Sequence, residues 1–330
     1  VREIRLRLLN DFQRDLPLVP RPFAELARQL DITENRVVEM LAQMQATGIV
    51  SRVGPVFKPN VIGASTLAAM AVPERRLEDV ARVVSARKEV NHNYAREHHY
   101  NLWFVAAAAT RPRLQDAIDD IAKQTGLQVL DLPMLEHYHI DLGFPLLSTG
   151  RERAPRASVS TTRAPSLNAL DRMLIGLIQG GLPLTPRPFA AVGVRMGLTE
   201  QDVIDRLVSY LDHGVIKRLG VVVRHHELGY KANAMVVWNL PDNEVRAVGE
   251  RVARVEGVTL CYRRRRHVPQ WPNNLYCMIH GRDRESALEA LARVKQLAGL
   301  EHVPCDVLFS VRRFKQRGAM YIGDHDAAAA

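Results

Sequence analysis

Two stretches of the chain hold most of the side chains able to move protons or grip anions. The first runs His92-Asn93-Tyr94-Ala95-Arg96-Glu97-His98-His99-Tyr100-Asn101-Leu102-Trp103-Phe104-Val105. The second runs Tyr262-Arg263-Arg264-Arg265-Arg266-His267-Val268-Pro269-Gln270-Trp271-Pro272-Asn273-Asn274-Leu275-Tyr276-Cys277. A third cluster, Arg224-His225-His226, leads into Gly229-Tyr230-Lys231-Ala232-Asn233, and Arg312-Arg313-Phe314-Lys315 adds basicity further on. Imidazole exchanges a proton near neutral pH. Guanidinium grips a carboxylate through two parallel hydrogen bonds. Set beside Tyr and Trp, these groups suit a flat, anionic, aromatic ligand. Strand alternation turns half of Arg263–Arg266 toward solvent. Of the 12 histidines, His137, His139 and His302 read as bystanders. Adjacent pairs such as His98-His99 and His225-His226 point to opposite faces of a strand, so no metal site is expected. The chain contains no GxGxxG, Walker loop, GxSxG or CxxC.

Composition narrows the partner. Hydrophobic residues make up 47% and charged residues 25% of 330, as in soluble globular proteins. Apolar runs such as Leu102–Ala109 are too short to cross a bilayer. No basic-then-apolar leader precedes Asp11. The three cysteines, Cys261, Cys277 and Cys305, are far apart. A cytoplasmic protein with reduced thiols is therefore expected, without a membrane partner. The formal charge of +9 calls for an anionic partner.

The elements that must hold these residues occur twice. Leu16-Pro17-Leu18-Val19-Pro20-Arg21-Pro22-Phe23-Ala24 returns as Leu182-Pro183-Leu184-Thr185-Pro186-Arg187-Pro188-Phe189-Ala190, and Gly48, Arg52 and Gly54 return at the same offset as Gly214, Arg218 and Gly220. The stretch 148–166, rich in Ser, Thr, Pro and Arg, reads as a linker. Each copy opens with three helices and a wing, a winged helix-turn-helix, over 1–57 and 167–223. Pro22 sits in the first turn of a second helix, Thr33 caps a third, and Ile49–Val56 reads as a two-stranded wing. A ferredoxin-like βαββαβ follows over 58–147 and 224–330. In copy one it is strand 66–72, helix 76–88, strands 90–97 and 100–109, helix 111–125 and a strand from 127 toward 141. The fold class is α+β, a tandem duplication. Within the middle hairpins Tyr94 pairs with Tyr262, and Asn101-Leu102-Trp103 with Asn274-Leu275-Tyr276.

A winged helix raises DNA binding, and charge argues against it. The third helices carry Glu34 and Glu39 against Arg36, and Glu200, Asp202, Asp205 and Asp212 against Arg206. A recognition helix must approach phosphates, which repel such carboxylates.

Winged helix plus ferredoxin-like sheet is the architecture of the Lrp/AsnC regulators, which pair their sheets as dimers; a duplicated chain could form that pair internally. The hairpin His92–Val105 resembles the D-type subunit of sirohaem decarboxylase, and Arg224–Met235 with Trp271–Gly281 resembles the L-type partner. The whole chain is thus similar to a D–L fusion from the haem d1 pathway. The resemblance implies loss of carbon dioxide from two acetates of sirohaem, giving 12,18-didecarboxysirohaem, with the iron tetrapyrrole as substrate and no required cofactor. It implies His98 as proton donor, with His92, Arg96 and Tyr94 positioning the acetate. In copy two Arg224, His225 and Lys231 take those roles, helped by Tyr262, Arg263 and Arg264. The other arginines and His267 clamp propionates, and His99, Trp271 and Tyr276 complete the aromatic edge. Copy two reads as lacking an equivalent of Arg96-Glu97-His98, because its loop is rebuilt around Pro269 and Pro272. Expected partners are sirohaem and its decarboxylated products, with a second copy of the chain and haem d1 pathway enzymes left open, and no DNA. The alternatives are a tetrapyrrole-sensing regulator and a carrier without chemistry.

Overall fold

The computed structural model describes residues 2–58, 60–140, 167–223 and 232–322. The expected linker and the segment 224–231, with Arg224, His225 and Lys231, lie outside the described residues. The first copy runs α1 (Arg2–Asp11), α2 (Pro22–Leu30), α3 (Glu34–Ala46), β1 (Val50–Phe57), β2 (Ala64–Met70), α4 (Leu77–Ala86), β3 (Val90–Arg96), β4 (Leu102–Ala108), α5 (Arg111–Thr125) and β5 (Leu130–Ile140). The second repeats it as α6 (Ala169–Ile178), α7 (Pro188–Met196), α8 (Glu200–Asp212), β6 (Ile216–Val223), β7 (Ala232–Trp238), α9 (Val245–Ala253), β8 (Val258–Arg264), β9 (Leu275–Gly281), α10 (Arg284–Ala298) and β10 (Cys305–Gln316). Two compact units result, and each gathers the same part of both copies.

The first unit holds both winged-helix parts. Pro22 costs α2 nothing, since first-turn N–H groups have no helical partner. Thr33 accepts the Arg36 N–H at 3.3 Å, and Thr199 forms a reciprocal capping box with Asp202. The expected two-stranded wing is not formed within a copy. Each copy supplies one unbroken strand, and β1 pairs antiparallel with β6, Gly54 opposite Gly220. The glycine marks a close approach rather than a turn. A Cβ on Gly220 would lie 2.5 Å from the carbonyl oxygens of Phe12 and Gln13. The Val221 N–H donates to the Phe12 carbonyl at 2.8 Å, and the Leu182 N–H to that of Val53 at 2.7 Å. Each copy's first inter-helix link is thereby seated on the other copy's strand.

The second unit holds both βαββαβ parts. Strand order is β3-β4-β2-β5 in one copy and β8-β9-β7-β10 in the other. The two sheets join antiparallel, β5 to β8 and β10 to β3, and close an eight-stranded barrel. Closure leaves neither sheet with a bare edge, so the duplicated chain makes its sheet pair internally. In the second copy Val236, Trp238, Val248, Val252, Leu291 and Val294 form the core between strands and helices. The opposite, inner face gathers Leu67, Trp103, Leu132, Met235, Tyr276 and Leu308 from both copies.

Candidate functional site

Alternation decides which chemistry-bearing residues meet. On β3, Asn93 faces outward and its Nδ2 donates to the Ala81 carbonyl of α4 at 3.1 Å. His92, Tyr94 and Arg96 therefore face inward. On β8, Cys261 faces outward, its Sγ donating to the Gly249 carbonyl of α9 at 3.5 Å. Tyr262 and Arg264 face inward, and Tyr262 belongs to the inner cluster.

Arg96 and Arg264 are each only 8% exposed. Arg96 Nη1 donates to the Leu308 carbonyl of β10 at 2.9 Å, and Arg264 Nη1 to the Leu132 carbonyl of β5 at 2.8 Å. Each guanidinium thus crosses to the last strand of the other copy. Arg96 lies 5.8 Å from the Tyr94 ring centroid, and Arg264 lies 4.5 Å from that of Tyr262. The Nε of both is buried without a hydrogen-bond partner. That leaves the Nε–Nη2 edge of each, the edge that grips a carboxylate bidentately. Burial pushes the Arg96 guanidinium down to about 10, the Tyr94 and Tyr262 phenols opposing it.

The middle hairpins are equivalent, with one correction. Arg264 occupies in copy two the place of Arg96, so that arginine does have a counterpart. The Arg96 N–H donates to the Asn101 carbonyl at 2.8 Å and the Arg264 N–H to that of Asn274 at 2.9 Å. Each asparagine amide then clamps a backbone at both of its polar groups. Asn101 holds Val72 at 2.9 and 2.8 Å, and Asn274 holds Leu240 at 2.9 and 3.0 Å. Up to the arginine the copies share Val, Tyr and Arg but place Leu260 where the first has His92, and beyond it the second loop is longer.

That loop reaches the first copy. Trp271, 2% exposed, meets His98, Tyr100 and Trp103 edge-on at 5.4, 5.7 and 5.1 Å between centroids. Its Nε1 donates to the Tyr276 hydroxyl at 2.6 Å. His98 is half-buried in the β3–β4 turn rather than on a strand. Its Nδ1 accepts the Tyr100 N–H at 3.0 Å, which puts the proton of the neutral ring on Nε2. Burial lowers its basicity, and the Asp306 carboxylate opposes this.

Other expected residues lie elsewhere. Arg263 sits on the outer face, where it pairs with Asp242 at 2.8 Å and Glu136 at 3.9 Å; alternation turns it away from Tyr262 and Arg264. Arg265 pairs with Asp131, and Arg266 with Asp242, so both meet the chain's own carboxylates. His267 closes its own loop through paired backbone bonds with Trp271. His99 is exposed, against the edge of Tyr100. His137 of β5 stands opposite Tyr262, and Arg313 of β10 stands opposite Tyr94. Both lie past a bulge that resets alternation, a signal absent from periodicity.

The chain matches the model of an "AsnC-like ligand binding domain" at 62–139 and 227–315, and that of a "Siroheme decarboxylase NirDL-like HTH domain" at 6–50 and 171–217. It is 45% identical to the "Siroheme decarboxylase NirDL subunit" of Paracoccus denitrificans, over 96% of this chain and 97% of that one. It is 30% identical to the "Siroheme decarboxylase" of Hydrogenobacter thermophilus, over 96% of this chain and 95% of that one. The crystal structure of a siroheme decarboxylase NirDL superposes with a TM-score of 0.69 at 26% identity, covering 99% of this chain and 96% of that one.

Proposed function

The chain belongs to the sirohaem decarboxylase NirDL family, and from that membership we propose that it removes carbon dioxide from two acetate side chains of sirohaem, giving 12,18-didecarboxysirohaem in haem d1 biosynthesis. The observation that supports this beyond kinship is the pair of buried arginines, Arg96 and Arg264, each with a carboxylate-gripping edge beside a tyrosine ring. Sirohaem displays eight carboxylates around a planar macrocycle, and the chain carries +9.

A pyrrole-bound acetate behaves as an arylacetic acid. The bond from methylene to carboxylate breaks, the electron pair enters the macrocycle, and a proton must reach the carbon. The balance requires no oxidant or organic cofactor. The chain's part is to hold the leaving carboxylate, keep it poorly hydrated and deliver the proton. Arg96 and Arg264 hold carboxylates, Tyr94 and Tyr262 flank the ring system, and His98, charged as its imidazolium, delivers the proton and returns to the neutral ring. Such a general acid typically contributes ~10²–10⁴-fold. His92 faces inward with Arg96 and helps to orient the acetate.

A cytoplasmic setting, and haem d1 pathway enzymes or a second copy as further partners, belong to the same reading. Among the described residues no helix is long and apolar enough to cross a membrane. The regulator reading is less supported, because acidic side chains sit along α3 and α8. Anaerobic incubation with sirohaem followed by mass spectrometry tests the proposal. Successive loss of one and two molecules of carbon dioxide is the expected result. Bound sirohaem of unchanged mass would identify a carrier.

A further inference from the structure

The inner faces of the two halves differ along the row that starts at the buried arginine. Ser310 of β10 stands opposite Arg96 of β3. On its other side β10 pairs with β7, Leu308 opposite Met235 and Phe309 opposite Ala234. One further step in that register puts Asn233 alongside Ser310, and Asn233 stands opposite His280 of β9. Phe309 and Ala234 belong to the core beneath the helices, so alternation turns Ser310 and Asn233 inward with Arg96. Four strands thus carry one polar row: Arg96, Ser310, Asn233, His280. The equivalent row in the other half starts at Arg264 and passes through Met134, which stands opposite it. Ser65, one step beyond the Thr66–Pro133 pair, and Ala107, from the alignment of Trp103 with Tyr276, complete it.

Three atoms of the first row, Arg96 Nε, Ser310 Oγ and Asn233 Oδ1, are buried without a hydrogen-bond partner. Buried polar groups are normally paired, so three orphans in register mark a place that a ligand fills. Three inter-strand steps of about 4.8 Å make the row roughly 14 Å long, the scale of a macrocycle edge rather than of one carboxylate.

We propose that this row positions the substrate, an inference that rests on the sirohaem reading above. Arg96 and Ser310 hold one acetate. Asn233 and His280 hold the propionate on the same pyrrole, the Asn233 amide turning to present its nitrogen. The second row offers Met134 and Ala107 at the corresponding places, so the macrocycle is held in one orientation.

The test is an anaerobic absorbance titration of the full chain with sirohaem, with steady-state turnover and chromatography of the first monodecarboxylated isomer. Ser310→Ala and Asn233→Ala are each expected to raise Kd and KM about tenfold, with kcat changing less, and to turn one first isomer into a mixture. Ser310→Thr restores tight binding. The mirror substitutions Ser65→Ala and Met134→Leu stay within about twofold of the parent. Circular dichroism melts establish that all variants are folded. Row variants binding within twofold of the parent, or mirror variants losing as much, would overturn the proposal. Because Kd is read without turnover, a parent that binds sirohaem but releases no carbon dioxide refutes the decarboxylase reading while leaving the row decided by the variants. A parent that fails to bind sirohaem overturns both.

Discussion

Replacing Arg96 by methionine should separate binding from stability in a way that a structural arginine would not. The folded protein holds this guanidinium at about 10, against an ordinary value of 12.5. At about 1.4 kcal/mol per unit, burying the charge costs about 3 kcal/mol. The cost is full below pH about 10 and is relieved as pH rises above it, because the unfolded chain keeps the proton longer. Methionine is of similar length and carries no charge. Its substitution removes that cost and forfeits the bond to the Leu308 carbonyl, a loss of about 1–3 kcal/mol with the acceptor left buried. The net expectation is a barrel as stable as the parent, or more stable by up to about 2 kcal/mol. Binding should move the other way. A hydrogen bond to a charged group contributes about 1.5–3 kcal/mol, so the sirohaem Kd should rise roughly 10–150-fold. Urea unfolding monitored by circular dichroism and anaerobic absorbance titration measure the two quantities. An Arg96→Met protein that loses more than about 2 kcal/mol of stability yet binds sirohaem as before would refute the reasoning and make Arg96 a strut.

Asn274→Ala should destabilise the barrel by about 2–4 kcal/mol, since both backbone groups of Leu240 lose the buried side chain that satisfies them; urea midpoints measure this. Gly220→Ala should cost on the order of 3 kcal/mol, because its Cβ would meet two carbonyl oxygens. It should unfold the winged-helix unit first, as hydrogen exchange at β1 and β6 would reveal. His98 is held less basic than an ordinary histidine by burial, so the unfolded chain binds its proton more readily. The stability it confers is complete above about pH 6.5 and is lost as pH falls below that. His98→Gln should flatten the acid-side decline in urea midpoint between about pH 7.5 and pH 5.5, and should slow release of carbon dioxide from bound sirohaem.

The repeated Leu-Pro-Leu…Pro-Arg-Pro-Phe-Ala segment and the helical and strand periodicities were enough to establish two copies of winged helix plus βαββαβ. They also established that histidine, arginine and aromatic residues crowd the middle hairpins, because period and residue type are local properties. The pairing of Asn101 with Asn274 was legible for the same reason: the identical clamp needs the identical residue. Partnership between strands was not legible. Nothing local in Ile49–Val56 says that its strand pairs with the other copy's, nor that Gly54 and Gly220 make room for backbone instead of turning the chain. Nor could four consecutive arginines show which one lies beside Tyr262 and which meet Asp242 and Asp131. Barrel closure decided this, since it fixed which face is inside. Register across β3, β10, β7 and β9 then aligned Arg96 with Ser310, Asn233 and His280, each more than a hundred positions from it in sequence. Long-range hydrogen-bonded register depends on both chain segments at once, and so is written in no single stretch of either.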